Sequence, residues 1–119
     1  MNFSMNFEIT ATEDFRRSLK ALSKRHRSLK QDFQSFAESI KENPLQGDEL
    51  SPGIRKIRMA ISSKGRGKSG GARVITYTII VSETGGKVYL IDIYDKNDYS
   101  TVDVNIIKRK LKDLGLIDT

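Results

Sequence analysis

From Ile54 to Tyr94 the chain reads as three consecutive β-strands, and this run constrains the fold more than any other feature. Ile54 to Ser62 alternates, with Ile57, Met59 and Ile61 on one face and Lys56, Arg58 and Ala60 on the other. Ala72 to Val81 is rich in β-branched residues and has no helical period. Glu83-Thr84-Gly85-Gly86 closes a hairpin into Lys87 to Tyr94, whose nearly continuous apolar character predicts a central strand. Three strands in a row, with helices only before and after them, predict an α+β domain rather than alternating βαβ units.

The flanking segments carry a different period. Met5 to Ile9 is a short strand candidate. Thr10 and Glu13 have the spacing of a capping box, which predicts a helix with Phe15, Leu19, Leu22, His26 and Leu29 on one face. Ser28 and Gln31 repeat that spacing and predict a break. The second helix turns Leu29, Phe33, Phe36, Ala37 and Ile40 inward and stops at Pro44. Asn43 to Gly53 reads as loop. A last helix follows Asp98, with Val104, Ile107, Leu111 and Leu114 as its stripe and Gly115 as its C′ residue. At 119 residues, without internal repeats, the chain is expected to be a single domain, residues 1–119, with the helical pair covering a mainly antiparallel sheet.

Charge narrows the function classes. The net charge is +6, yet Ser51 to Ser82 contains no Asp or Glu and seven cations: Arg55, Lys56, Arg58, Lys64, Arg66, Lys68 and Arg73. A block of one sign sets up a local positive field suited to a polyanion, or else a solvated basic surface. There is no Cys, which removes disulfides and Cys-rich zinc sites. No apolar run approaches the roughly 20 residues that span a bilayer, and MNFSMNFEIT lacks the pattern of a signal peptide, so a soluble, cytoplasmic protein without membrane contact is expected.

Several chemistries are excluded by spacing. GKS at Gly67 to Ser69 is not a P-loop: the first Gly of that motif would fall on Ser62, and a strand rather than a helix follows. His26, the single histidine, sits on an apolar stripe and reads as a partly buried structural residue. No His/Asp/Glu cluster has metal-ligand spacing, and no nucleophile elbow is present, so no metal and no cofactor are expected. What remains is cationic. Lys56 and Arg58 share a sheet face, and Arg73 begins the neighbouring strand. Together they form a platform for phosphate oxygens, or ordinary polar residues on the wet side of a half-buried sheet.

The segments IRKIRMAISSKGRGKSGGARVITYTI and YLIDIYDKNDYS resemble the RelE/HigB branch of the RelE/ParE toxin superfamily. The likeness covers the whole element order and is sharpest from Ile54 to Ser100. It implies a RelE-like fold, with an N-terminal helical hairpin and a C-terminal helix packed on a small sheet. It also implies the toxin of a type II toxin–antitoxin pair, a metal-independent endoribonuclease that cuts mRNA in the ribosomal A site and so inhibits translation. Its partners would be a cognate antitoxin, the ribosome and mRNA. In that reaction the RNA 2′-OH attacks its own 3′-phosphate, leaving a 2′,3′-cyclic phosphate and a 5′-OH. The family has basic residues at the positions matched by Lys56, Arg58, Arg73 and Lys96. Arg58 stands where other members have Lys, and Arg does not serve as a base at neutral pH. The base stays open between Lys56, Tyr99 and a carboxylate such as Asp98. Arg55, Lys64, Arg66 and Lys68 are expected to contact RNA phosphates, with KGRGKSGG as a mobile phosphate-binding loop. The alternatives are a ParE-like toxin acting on gyrase and a non-catalytic basic RNA-binding protein.

Overall fold

The computed structural model describes residues 6–99 and 101–118. The elements run β1 (Asn6–Ala11), α1 (Glu13–Arg25), α2 (Leu29–Glu42), β2 (Asp48–Ser51), β3 (Ile54–Met59), a single 3₁₀ turn (Ser62–Lys64), β4 (Ala72–Ser82), β5 (Gly85–Asp95) and α3 (Val104–Asp113). The five strands form one sheet in the order β1-β5-β4-β3-β2, with β1 parallel to β5 and every other pair antiparallel. The result is an α+β domain with N-terminal helices, a mixed, mainly antiparallel sheet and a C-terminal helix. The strand expected to be central, β5, is interior, but the middle position belongs to β4.

Helices cover both faces of the sheet. Phe15 and Leu22 of α1 and Leu29, Phe36 and Ile40 of α2 pack with Ile57, Met59, Val74, Val88, Leu90 and Ile93. Ile107 and Leu111 of α3 pack on the opposite face with Ile54, Ile75, Ile91 and Tyr94. The alternation in β3 makes this possible: Ile57 and Met59 face the helical pair, while Ile54, Lys56 and Arg58 share the α3 face. Parity in β5 changes part-way. Ile75 pairs with Asp92 but Thr76 pairs with Leu90, so Ile91 is an extra residue, a β-bulge. Before the bulge Val88 and Leu90 face the helical pair. Beyond it Ile93 does, and Tyr94 turns to the α3 face.

Several local expectations are corrected. Thr12, not Thr10, caps α1: its Oγ1 accepts from the Phe15 N–H at 3.2 Å, and β1 runs on to Ala11 because Thr10 and Ala11 pair with Tyr89 and Leu90. Met5, the expected start of β1, lies outside the described residues. The break between α1 and α2 is present, but Ser28 makes no side-chain cap bond; its Oγ donates to Asp32 Oδ2 at 2.7 Å and accepts from the Ser63 N–H at 2.9 Å. The stretch 43–53, expected as loop, contains β2, a four-residue edge strand. β3 ends at Met59, short of Ser62, because the Asp32 carboxylate takes the Ser62 N–H at 2.9 Å and turns the chain.

The β4–β5 hairpin is tighter than expected. Only Glu83 and Thr84 are left for the turn, and Gly85 and Gly86 belong to β5. A Cβ on Gly85 would strike the Asn6 carbonyl, and one on Gly86 the Ile79 carbonyl, so neighbouring backbones require these glycines. At the other end of the chain Gly115 takes φ +72°. Its N–H donates to Lys112 O and that of Leu116 to Leu111 O, each at 2.9 Å, the Schellman closure of α3. That reversal leaves Leu114, expected inside, half exposed, and brings Leu116 and Ile117 against the α3 core instead.

Candidate functional site

The registry of the sheet assembles the site. Arg58 lies opposite Arg73 across β3–β4, and Arg73 lies opposite Tyr94 across β4–β5. One step along, Asp48 of β2 lies opposite Lys56. Residues directly opposite one another in an antiparallel pair share a face, so these side chains converge. The turn after β5 adds Lys96, whose backbone N–H donates to Gly71 O at 3.0 Å and so ties this turn to the start of β4. Tyr99 closes the rim, its ring edge-on to Tyr94 at 5.5 Å between centroids and 89° between planes. Asp48, Lys56, Arg58, Arg73, Tyr94, Lys96 and Tyr99 together line a cleft of about 250 Å³. Four cations against one carboxylate give it a formal charge of +3.

Arg73 is the fixed member. It is only 8% exposed. Its Nη1 donates to Lys68 O at 3.2 Å and Ala72 O at 3.1 Å, and its Nη2 to Ser69 O at 3.0 Å. Three of its five N–H donors are therefore used on backbone carbonyls, two of them in the basic loop, and two remain for a ligand. Burial raises the pKa of the Tyr94 phenol, and the nearby Asp92 charge adds to this, against the pull of Arg73. Tyr94 is thus held protonated, as a hydrogen-bond donor.

The structure separates the other sequence candidates. Lys64 is not a free loop cation: its Nζ donates to Asp95 Oδ1 at 2.8 Å, and its side chain is only 12% exposed. Arg55 lies on the face away from the cleft, where its Nη1 donates to Leu45 O at 3.0 Å and its guanidinium approaches Glu49. Asp98 does not line the cleft; it takes a two-pronged contact from Arg25, at 2.7 and 3.3 Å. Arg66 and Lys68 are exposed, and Lys68 flanks a groove beside Arg58. The segment expected to be mobile is tied down by Asp32 at Ser62, by Asp95 at Lys64, by Arg73 at Lys68 and Ser69, and by the packing of Gly71 against the Met59 carbonyl. Gly65 and Gly67, at φ +69° and +64°, turn the chain between those anchors.

His26 has the structural role expected of it. Its Nε2 is 2.9 Å from Asp95 Oδ2. Asp95, 1% exposed, thus gathers Lys64, His26 and the Asn97 N–H at 3.0 Å, with Arg25 at 3.6 Å. Burial alone would raise its pKa; the hydrogen bonds from Lys64, the Asn97 backbone and His26 outweigh that and lower it.

Two cleft residues escaped the sequence reading. Asp48 was hidden in an assumed loop, and only its two-sided flanking by Gly47 and the Pro52-Gly53 turn hints at a short strand. Tyr94 was hidden by the bulge. Among the described residues no group of three His, Asp or Glu side chains could hold a metal ion, and no helix is long and apolar enough to cross a membrane. No family model matches the chain.

Proposed function

We propose that this chain is the toxin of a bacterial type II toxin–antitoxin pair of the RelE/HigB kind, with a RelE-like fold, and that it cuts mRNA on the ribosome. The observation that carries this reading is the convergence of Lys56, Arg58, Arg73 and Lys96 with two tyrosines and one carboxylate in a single cleft. Transesterification of RNA needs those parts and little else. The 2′-oxygen attacks the adjacent phosphorus as the bond to the 5′-oxygen breaks. The 2′-OH proton passes to a base and another proton to the departing oxygen. Asp48 and Lys56 face each other across β2–β3 in the cleft, and in this reading one of them takes the first proton. Lys96 or Tyr99, which also line the cleft, gives the second in this reading. Arg73 meets the charge that builds up on the phosphate oxygens, and its rigid mounting means little reorganisation is needed when that charge appears.

A gyrase-directed, ParE-like role would act through protein contact and has no use for such a cleft. The antitoxin that fits this face offers acidic side chains to the cations. Ribosomes and mRNA place the action in the cytoplasm. The test is purified protein added to translating ribosomes, with the mRNA ends mapped. Cuts that leave a 2′,3′-cyclic phosphate and a 5′-OH, and that disappear with Arg73→Ala, are expected. Intact mRNA in the presence of folded protein that still binds ribosomes overturns the reading in favour of a non-catalytic RNA-binding protein.

A further inference from the structure

A second groove, of about 320 Å³, opens beside the cleft between α2 and the end of β3. Arg58 lines both, and a surface strip holding Gln46, Lys56 and Lys68 joins them. Charge is segregated along this path. Lys56, Arg58 and Lys68 are its cations; the groove itself holds one carboxylate, Asp32, and the rest of its lining beyond Arg58 and Lys68 is uncharged. Ser35 and Ser39, one turn apart on α2, form one wall, and Phe36, Met59 and Ala60 supply an apolar floor. Gln46 Nε2 donates to the Ser39 carbonyl at 3.0 Å and to Ser39 Oγ at 2.7 Å, which fixes the amide and leaves its oxygen as an acceptor. Asp32 is occupied by Ser28 and Ser62.

We propose that this groove is a nucleobase subsite, which receives the base of a nucleotide next to the scissile phosphate while Arg58 and Lys68 hold the intervening phosphate. The proposal rests on the endoribonuclease reading. A nucleotide has the same division as the groove: a planar, uncharged base with donors and acceptors on its edge, beside one anionic group. An acidic peptide fits less well, because the serines, Gln46 and the apolar floor offer a row of carboxylates no cation beyond Arg58 and Lys68. Ser35, Ser39 and Gln46 can read a base edge, so this subsite would set a sequence preference at one position flanking the cut.

The probe is a trinucleotide with 2′-deoxyribose at every position, which lacks the attacking hydroxyl, titrated into the full ¹⁵N-labelled chain. Two companions carry an abasic site at the first or the third position. Backbone amides of Ser35, Ser39 and Ala60 are expected to shift together with those of Lys56 and Arg73. One abasic companion should bind about tenfold more weakly and leave the Ser35 and Ser39 signals unmoved, since a stacked base typically contributes that much or more. Ser35→Trp, at an exposed helical position, should fill the groove and abolish the difference between intact and abasic probes; Ser35→Ala should keep it. Equal affinities for all three probes on the wild-type chain, or shifts confined to the cleft, overturn the subsite. The outcomes separate the two claims. Ribosomal mRNA cutting without groove shifts removes the subsite alone, and groove shifts without any cutting remove the endoribonuclease reading alone.

Discussion

Replacing Asp95 with Asn deletes one negative charge from a site that is 1% exposed and faces Lys64, His26 and Arg25. The amide can still accept the Asn97 N–H, so the loss falls on the ionic contacts. Lys64 is the main loser, because its side chain is only 12% exposed and its ammonium has no other carboxylate at contact distance among the described residues. Removing one partner of a buried pair typically costs 3–5 kcal/mol, and the remaining access of Lys64 to water puts this case at about 3 kcal/mol. An unfolding entropy of about 2.1 cal/mol/K per residue gives roughly 250 cal/mol/K for this chain, so Tm should fall by about 12 °C. The Asp95 pKa is lowered in the folded state: burial opposes this, but the bonds from Lys64, the Asn97 N–H and His26 prevail. A depressed carboxylate pKa stabilises the fold above the unfolded value of about 3.9, and the benefit disappears as pH falls through the folded pKa. The gap between wild type and Asp95→Asn should therefore be full at neutral pH and close below about pH 4. Urea unfolding followed by far-UV circular dichroism at several pH values measures it. Adding Lys64→Met should restore part of the loss, because no charge is then stranded. A neutral-pH cost under about 1 kcal/mol, or single effects that add within about 0.5 kcal/mol in the double mutant, would refute the argument.

Arg73→Ala should abolish most mRNA cutting, a loss on the order of 3 kcal/mol in transition-state binding, with Arg73→Lys restoring only part; cleavage at the wild-type rate would show the site to be misplaced. Unlike a surface cation, Arg73 also holds Lys68 and Ser69, so Arg73→Ala should lower stability by about 1–3 kcal/mol in the same denaturation assay. Arg66→Ala with Lys68→Ala should reduce the log–log salt slope of ribosome binding by about 1.4–1.8 if each touches one phosphate, whereas Lys64→Met should leave the slope unchanged and cost stability instead. Asp48→Asn should slow cleavage about a hundredfold and remove the acidic limb of the pH–rate profile if Asp48 is the base; an unaltered profile transfers that role to Lys56. Gly71→Ala should destabilise by about 1–3 kcal/mol, because its Cβ would collide with the Met59 carbonyl, and a stability equal to wild type would contradict the packing there.

The periodicities that place β3, β4, β5 and α3 are local properties of the chain, and they were legible because burial on one face selects residue type at a fixed spacing. The pair Lys56 and Arg58 was legible for the same reason. What lay beyond reach depends on which residues meet from far apart. β2 has no apolar alternation, since an edge strand of four residues is held by its partner β3 rather than by its own pattern, and Asp48 went unseen with it. Tyr94 follows a bulge at Ile91 that shifts parity by one residue; simple alternation would group Tyr94 with Leu90 on the helical face. The basic loop shows the limit most clearly. Lys64, Arg66 and Lys68 are equivalent in sequence, separated by single glycines. Only the fold distinguishes them, by bringing Asp95, 31 residues further along the chain, to Lys64 and leaving the other two exposed. A run of like charges is therefore read correctly as a positive field but not as a set of ligands. Its members divide into struts and contacts according to the acceptors that tertiary structure places beside them: Asp95 takes Lys64 and the Leu45 carbonyl takes Arg55, while Lys56, one residue away, lines the cleft.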